Sequence, residues 1–296
     1  MARARAGALR LPAPDRARDR RSRPRRGRHR CARRPLAGGG AAGLDRAVPE
    51  VRSERANVST GQVPVGYQES LTAKRADLRS LGTCWREFIR HFSPRAVFVF
   101  IAAAVTARVA VGRWSWHDAL VPVAIVAAQP FVEWVIHRYL LHLPAFKVAG
   151  RRIELYGSVQ HRIHHRDPSD LDRVLLKPPE VLSFVVQIPV VAAGVVWAAV
   201  ALLGGHFLPL TLTATVLSYL ALLRYEWSHF LIHTPYVPKT RWYRSIWRNH
   251  RLHHFKHERY WMGITSKMGD RVLGTDPDPH SVPKSPTART LGVPVD

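Results

Sequence analysis

Ten histidines fall into four short clusters, and histidine suits transition metals because its imidazole offers a nitrogen ligand. The strings are HRYLLH, HRIHH, HFLIH and HRLHH. Residues three and four apart on a helix project from one face and can reach a common ion, so the HxxHH strings each offer three ligands. The candidate metal ligands are His137, His142, His161, His164, His165, His229, His233, His250, His253 and His254.

The number of candidate ligands indicates two metal ions. Ten imidazoles are too many for one ion, whereas two ions with about five ligands each leave an open position for oxygen or substrate. His137 and His142 lie five residues apart and would point about 140° away from each other on an ideal helix. We therefore expect a helix end or a local bulge to bring these two side chains together.

Several carboxylates and one further histidine lie near the clusters. A metal-bound imidazole usually donates its second ring N–H to a carboxylate, which fixes its tautomer and orientation. Solvated charges without a role at the metal are the alternative interpretation. The candidate supporting residues are Glu133, Asp167, Asp170, Asp172, Glu226 and His257.

Long apolar segments predict a multi-pass membrane protein, since four runs approach the roughly 20 residues that cross a hydrocarbon core. The predicted spans are about 96–112, 119–141, 181–205 and 207–230. The last two must form a tight hairpin. Buried helices of a water-soluble protein compete as an interpretation, but runs this long with so little charge would need an unusually large polar shell. Upstream, the apolar spacing around Trp85 predicts an amphipathic helix on the membrane surface.

Lysine and arginine are concentrated in the 143–180 loop and after His233, which favours the cytoplasmic side for both segments. Each histidine cluster then lies at or beyond the cytoplasmic end of a span. The predicted fold is all-α, an integral membrane four-helix bundle with a cytoplasmic helical cap that holds a dinuclear metal site. Both termini are predicted to be cytoplasmic.

The net charge of +24 is unevenly distributed, because residues 1–34 carry fourteen arginines against two aspartates. We predict a disordered region rich in Arg, Pro and Gly over 1–82, the membrane domain over 83–275 and a flexible tail over 276–296. The arginine tract could contact nucleic acid or anionic lipid. It has neither interleaved aromatic residues nor a recognised fold beside it, so no nucleic-acid partner is expected.

The four strings resemble the motifs of the fatty-acid hydroxylase and sterol desaturase superfamily, His-x4-His, His-x2-His-His, His-x3-His and His-x2-His-His, in that order. The resemblance covers roughly residues 95–275, with a membrane hairpin between the second and third motifs. The flanks HHRDPSDLDRVLLKPP and HHFKHERYWMGITSKMGD look most like the fatty-acid 2-hydroxylase branch.

The resemblance implies that all ten histidines ligate two iron ions, which activate O2 to attack a C–H bond of a membrane lipid. Oxygen-dependent hydroxylation of a fatty acyl chain or sphingolipid, in lipid biosynthesis, is the implied function. Several relatives carry an appended haem electron-donor domain, and the first 94 residues offer nothing comparable. Electrons are therefore expected from a separate protein such as a ferredoxin. Imidazole also suits zinc, which an isolated sample could contain.

Three alternatives stay open at this point. A sterol or lipid desaturase and a carotenoid hydroxylase of the same superfamily would share the first hydrogen abstraction and show almost the same ligand spacing. Metal transport or storage is an alternative from another class. Transporters, however, place their sites near the bilayer midplane, whereas every cluster here lies at the aqueous edge of a span.

Overall fold

The computed structural model describes residues 77–292. Helices dominate that part of the chain, as the sequence predicts. The α-helices are α1 Leu81–Phe88, α2 Phe92–Val111, α3 Leu120–Val135, α4 Tyr156–Arg166, α5 Pro178–Leu203, α6 Phe207–Ile232, α7 Arg241–Phe255 and α8 Met268–Val272. A π-helix covers Ile136–Leu141, and short 3-10 helices cover Trp116–Ala119, Leu171–Arg173 and Pro279–Ser281. The predicted disordered region lies almost wholly outside the described residues, so that prediction stays a prediction.

Within the described part of the chain, four helical segments are long and apolar enough to cross a membrane, and each overlaps one predicted span. They are Phe92–Val111, Trp116–Leu141, Leu171–Leu203 and Phe207–Ile232. Their side chains mostly face outwards; Trp197 and Leu202, for example, are 69% and 85% exposed. Large apolar surfaces of this kind are covered by lipid in a membrane. The four segments indicate a multi-pass membrane protein.

Helix α6 is the centre of the bundle and packs against α2, α3 and α5. Its contact with α5 buries small and branched residues, including Ala192 opposite Ala214, which allows the two helices to approach closely. The chain reverses between them through Gly204 and Gly205, whose φ angles are 77° and 110°. These conformations favour glycine, and they form the tight hairpin that the sequence predicts.

A buried ion pair links helices at the end of the bundle that lies away from the histidines. Arg108 in α2 contacts the Asp118 carboxylate, with an Nη2–Oδ1 distance of 2.7 Å. The Thr213 hydroxyl of α6 donates to the same carboxylate, and the Trp114 ring centroid lies 3.5 Å from the guanidinium carbon. Each charge therefore has a partner, which makes its burial among apolar helices tolerable.

The connection between α3 and α4 departs from the predicted all-α fold. It contains an antiparallel hairpin of β1, Phe146–Val148, and β2, Arg151–Ile153, with Val148 paired to Arg151. Ala149 and Gly150 form the turn with φ angles of 48° and 79°, as two-residue hairpin turns require. The strands are too short and too exposed to give a clear alternating pattern in the sequence. Over residues 77–292 the fold is therefore mostly helical with one small sheet.

The amphipathic helix predicted around Trp85 is present as α1. It begins after Ser80, whose hydroxyl accepts a hydrogen bond from the Thr83 backbone N–H. Phe88 is fully buried and packs against the rings of Trp227 and Phe230, with centroid distances of 5.1 and 5.5 Å. One apolar face of α1 thus packs on α6, while contact with a membrane surface stays a prediction.

The C-terminal residues also differ from expectation, because the sequence predicts a flexible tail from residue 276. In the structure, residues 276–292, which we call the C-terminal strap, are held by tertiary hydrogen bonds. The Ser285 backbone N–H donates to the Lys256 carbonyl at 2.8 Å, and the Thr287 hydroxyl donates to Glu258 Oε1 at 2.6 Å. Such contacts depend on distant parts of the chain and leave no periodic signal in the sequence.

Candidate metal centre

The structure brings all ten predicted histidines together, in two groups of five. Within each group, one nitrogen from every ring lies within 4.8 Å of the others. Group 1 is His137, His142, His161, His165 and His253, and group 2 is His164, His229, His233, His250 and His254. Two sets of five nitrogens match the arrangement that the ligand count predicts.

The π-helix explains how His137 and His142 share a group. Its wider turn lets the His142 backbone N–H donate to the His137 carbonyl, five residues earlier, at 3.3 Å. The two rings consequently lie next to each other in an edge-to-face arrangement, with a centroid distance of 5.0 Å. The prediction that a local bulge is needed at this point is confirmed.

Helices α4 and α7 each contribute to both groups. In α4, His161 and His165 are four residues apart on one face and belong to group 1, while His164 belongs to group 2. In α7, His253 belongs to group 1, and its neighbour His254 belongs to group 2. The two groups adjoin, since the rings of His165 and His254 have centroids 4.2 Å apart.

Backbone carbonyls orient three of the five rings of group 1 through their Nδ1 atoms. Nδ1 lies 2.6 Å from the Met262 oxygen in His137, 2.8 Å from the Ala288 oxygen in His165, and 2.8 Å from the Tyr260 oxygen in His253. A carbonyl only accepts, so these partners assign the proton to Nδ1. The Nε2 atom of each of these rings is then unprotonated and carries a free lone pair.

These lone pairs converge, which provides a test of whether the residues fit a metal ion. The Nε2 atoms of His165 and His253 are 3.2 Å apart, and neither carries a proton to share in this tautomer. His137 Nε2 lies equally close to His161 Nε2. Lone pairs at this distance repel one another unless a cation lies between them. The donor set of group 1 therefore fits a transition-metal ion.

Group 2 gives an independent test. Both ring nitrogens of His164 are buried and, among the described residues, have no hydrogen-bond partner; the same is true of His229 Nε2. A buried polar group left unpaired costs about 1–3 kcal/mol, so several in one place require an explanation. The His250 and His254 Nε2 atoms are 3.0 Å apart beside them. An ion bound here would satisfy these atoms.

Burial also prepares the rings for metal binding. It lowers the pKa of His165 to about 3, although the hydrogen bond to Ala288 acts in the opposite direction. A metal ligand must be unprotonated, and a lowered pKa keeps the imidazole neutral near pH 7. Desolvation likewise lowers the pKa of the other rings outside the spans, namely His142, His161, His164, His233, His250, His253 and His254.

The candidate supporting residues mostly serve local structure instead. Asp167 accepts from the Ser169 hydroxyl, and Asp170 caps the following 3-10 helix. Glu226 accepts from the Ser93 hydroxyl at 2.6 Å and from the Leu176 backbone, and His257 Nδ1 lies 3.6 Å from Glu258. Within residues 77–292, none of the four is hydrogen-bonded to a histidine of either group. Asp172 instead faces His91, with an Oδ1–Nδ1 distance of 3.3 Å.

Two buried carboxylates support the site indirectly, because they hold the backbone of a loop that contacts His137. Glu133 in α3 accepts from the Thr265 backbone N–H at 2.9 Å, from the Thr265 hydroxyl at 2.6 Å and from the Ile264 N–H. Asp270 in α8 accepts from the Met262 N–H at 2.8 Å. Together they hold the loop whose Met262 carbonyl orients His137. A glutamate inside an apolar span signals such a role in the sequence. Sequence reasoning missed Asp270.

Close backbone packing completes this support. Helix α8 packs on α3 at Gly269, where a Cβ atom would come within 2.5 Å of the Pro130 carbonyl oxygen. Only glycine allows that approach without displacement of the backbone. The Trp134 indole N–H then donates to the Thr275 hydroxyl at 2.8 Å. The loop that orients His137 is thus fixed to the membrane helix that carries His137.

Comparison with known proteins agrees with this geometry. The sequence model of the fatty acid hydroxylase family matches residues 122–275, which is more than half of the chain. The match begins in the second membrane segment and contains all ten histidines of groups 1 and 2.

The chain is also similar to curated proteins of known name. It is 29% identical to fatty acid 2-hydroxylase of Homo sapiens over 146 residues, covering 49% of this chain and 36% of that protein. It is 27% identical to dihydroceramide fatty acyl 2-hydroxylase FAH1 of Arabidopsis thaliana over 164 residues, covering 53% of this chain and 62% of that protein. The chain therefore spans about a third of the human relative's length and just under two thirds of the Arabidopsis thaliana relative's length.

A solved structure described as full-length scs7p, with only the hydroxylase domain visible, aligns with a TM-score of 0.46 and 21% identity. The alignment covers 64% of this chain and 65% of that one. This overlap is too low to establish a common fold, so the assignment rests on the sequence matches. On those matches, the chain belongs to the fatty acid hydroxylase family, nearest its 2-hydroxylase branch.

Proposed function

We propose that this protein hydroxylates an acyl chain of a membrane lipid with O2, at a dinuclear iron centre held by the ten histidines, in lipid biosynthesis. The observation that carries the proposal is the convergence of bare Nε2 lone pairs, such as those of His165 and His253 at 3.2 Å, within a member of this family. Group 1 would hold one ion and group 2 the other.

Iron would supply the oxidising power to break an unactivated C–H bond, which acidic and basic side chains cannot do. The reaction consumes one O2, two electrons and two protons for each C–H bond converted into C–OH, and it releases one water molecule. The protein's own part is to fix the imidazoles. The Met262, Ala288 and Tyr260 carbonyls keep three Nδ1–H groups engaged, so that the Nε2 lone pairs stay directed inwards.

The position of the histidines along the spans supports a substrate carbon near the lipid headgroup. His137 and His229 lie within the last two turns of their membrane segments, which end at Leu141 and Ile232. A carbon next to the acyl carbonyl lies at that depth, whereas carbons far along the chain lie near the midplane. The names of the relatives, fatty acid 2-hydroxylase and dihydroceramide fatty acyl 2-hydroxylase, agree with this choice. We propose a fatty acyl or sphingolipid substrate hydroxylated at its second carbon.

We further propose that the site and both termini face the cytoplasm, and that a separate acidic carrier such as a ferredoxin delivers the electrons. The concentration of lysine and arginine in the 143–180 loop and after His233 supports this orientation.

The test is a mass-spectrometric comparison of total lipids from cells that express the intact chain, a His253→Ala variant or an empty vector. We expect a lipid heavier by one oxygen atom only with the intact chain, and only when O2 is present. Fragmentation should locate the added oxygen at the second carbon of the acyl chain.

Other outcomes separate the alternatives. A lipid lighter by two hydrogen atoms would identify a desaturase, and an oxidised carotenoid ring would identify that branch of the superfamily. If the three lipid profiles are identical while the intact protein is folded, metal-loaded and supplied with reductant, the proposal fails and metal handling becomes the better account.

A further inference from the structure

Helix α7 carries a row of arginines on its outer face. Arg241, Arg244, Arg248 and Arg251 are spaced by three, four and three residues, which places them along one side of the helix. All four are exposed. We call this row the arginine face.

The positive charge of the arginine face is not neutralised by the protein. Helix α7 contains no aspartate or glutamate. Among residues 77–292, no carboxylate forms an ion pair with any of the four side chains. Arg244 donates only to the Pro238 carbonyl, and Arg251 lies over the Trp247 ring with its guanidinium carbon 4.8 Å from the centroid. Four exposed guanidinium groups are thus available to an acidic partner.

The opposite face of the same helix forms part of the metal centre. His250, His253 and His254 are fully buried there, about half a turn around the helix from the arginines. An α-helix with its side chains is about 10–12 Å across. A partner that docks on the arginine face is therefore separated from the ligands of both groups by the thickness of one helix.

The arginine face continues onto the C-terminal strap. Two guanidinium groups lie near the Phe255 ring, with Cζ atoms 5.7 Å (Arg251) and 5.5 Å (Arg289) from its centroid. A shallow depression of about 440 Å³ adjoins this ring and is lined also by Lys284 and Ala288. The Ala288 carbonyl accepts from His165, so the strap offers a second short connection from the surface to group 1.

We propose that the arginine face, together with Phe255 and the strap beside it, is the docking surface for an acidic protein that carries one electron at a time. This inference rests on the proposed function, which needs two electrons for each hydroxylation. Each encounter transfers one electron: the carrier is oxidised by one unit and the centre is reduced by one unit. Two encounters therefore precede each product molecule.

Charge pattern favours an acidic protein over an anionic membrane surface as the occupant. A helix that lies in a membrane interface buries a continuous apolar face in the lipid, on the side opposite its basic residues. Here the four arginines lie along about three turns of the exposed side of α7. The exposed large apolar side chains of this helix stand at its two ends, at Trp242 and Phe255, and do not form a continuous face. Arginine forms paired, directional hydrogen bonds with carboxylates, which suits recognition of aspartate and glutamate side chains.

The experiment measures reduction of the iron-loaded full chain, in phosphatidylcholine nanodiscs, by a reduced acidic [2Fe–2S] ferredoxin under anaerobic stopped flow. The variant is Arg241→Glu with Arg248→Glu, two exposed residues whose side chains form no ion pair or hydrogen bond within residues 77–292. The matched control is Lys147→Glu with Arg151→Glu on the exposed β1–β2 hairpin, which changes the net charge equally. Dithionite, a small reductant that needs no docking surface, is used in parallel.

We expect the intact chain to oxidise ferredoxin in a fast reaction that slows as salt is added, since complementary charges accelerate association. The arginine variant should be at least about tenfold slower at low salt, and the hairpin control should be unchanged. Dithionite should reduce all three proteins equally.

Three results would overturn the proposal. They are an unchanged rate in the arginine variant, a rate for the intact chain that does not depend on salt, and an effect of the variant that appears only when the nanodiscs contain anionic lipid. The last result would identify the arginine face as a membrane contact. Failure of the proposed function is detected separately: dithionite-reduced protein exposed to O2 would then leave the lipid unmodified, whatever the ferredoxin kinetics.

Discussion

Hydrogen bonds to backbone carbonyls fix the tautomer and orientation of three histidines in group 1. His137, His165 and His253 each donate Nδ1–H to a carbonyl, and these carbonyls lie in the 260–262 loop and in the C-terminal strap. A carbonyl is a weaker acceptor than a carboxylate, yet it fixes the tautomer equally well. The negative charge that a carboxylate shell would bring is thus kept away from the rings. Glu133 and Asp270 act on the backbone that supplies one of these carbonyls.

Replacing a single ligand should remove metal from one group. In His253→Ala, group 1 loses a ligand that also adjoins group 2, and we expect the metal content per chain to fall by about half or more. The matched control is His257→Ala, because His257 is a neighbour in sequence that lies outside both groups. Metal analysis of the purified proteins measures the metal content of both variants. A loss of metal in His257→Ala, or full metal content in His253→Ala, would contradict the assignment.

The metal-free protein should lose stability as the pH falls below 6.5. Burial lowers the pKa of His165 to about 3 from its ordinary value of 6.5. Between these values the unfolded chain binds a proton that the folded chain does not, so the free energy of unfolding falls as the pH is lowered through this window. Thermal midpoints of the metal-free protein in detergent, measured above and below pH 6.5, test this. Midpoints that stay constant or rise on acidification would contradict it.

At the scale of elements, the sequence predicts the segments that have a periodic residue pattern and misses the segments that lack one. Apolar runs of membrane length and histidines three or four residues apart are periodic signals, and they locate the spans and the HxxHH ligands. The spacing of His137 and His142 even predicts the bulge that appears as a π-helix. The β1–β2 hairpin and the strap have no such signal, because their positions depend on contacts between residues far apart in the chain.

The strap should be required for metal binding in group 1. It supplies the Ala288 carbonyl to His165, and Arg289 donates to the His165 carbonyl at 2.7 Å. Deleting residues 278–296 removes both contacts, and we expect metal affinity to fall about tenfold to hundredfold, as loss of such orienting partners typically causes. Competition with a metal chelator measures the change.

Deleting residues 293–296 alone provides the matched control for the strap. These residues lie outside the part of the chain that the structure describes, and their loss leaves every contact to His165 in place. Equal metal affinity in the long deletion, the short deletion and the intact chain would show that the strap does not support the metal centre.

At the scale of the whole molecule, one end of the helical bundle holds the candidate metal centre and the other end holds a buried ion pair. Arg108, Asp118 and Thr213 tie the helices at the end away from the histidines. The two histidine groups, the loop from residue 260 and the strap assemble at the other end. The membrane helices set the distances between motifs that are as much as 117 residues apart in sequence, such as His137 and His254.

The arginine-rich N-terminus should be dispensable for chemistry. All ten histidines and the segments that orient them lie between residues 130 and 292. A chain that lacks residues 1–42 should therefore retain its metal content and its lipid product per molecule of folded protein. Quantification of product against metal-loaded protein tests this, and loss of activity with metal retained would assign the N-terminus a direct part in the reaction.

The most direct test of the central claim is to locate iron in the protein itself. We would load the chain with ferrous iron under anaerobic conditions and measure anomalous diffraction at the iron absorption edge. We expect two iron positions, one among the Nε2 atoms of group 1 and the other among the ring nitrogens of group 2. A single iron position, or iron bound outside the ten histidines, would contradict a dinuclear centre.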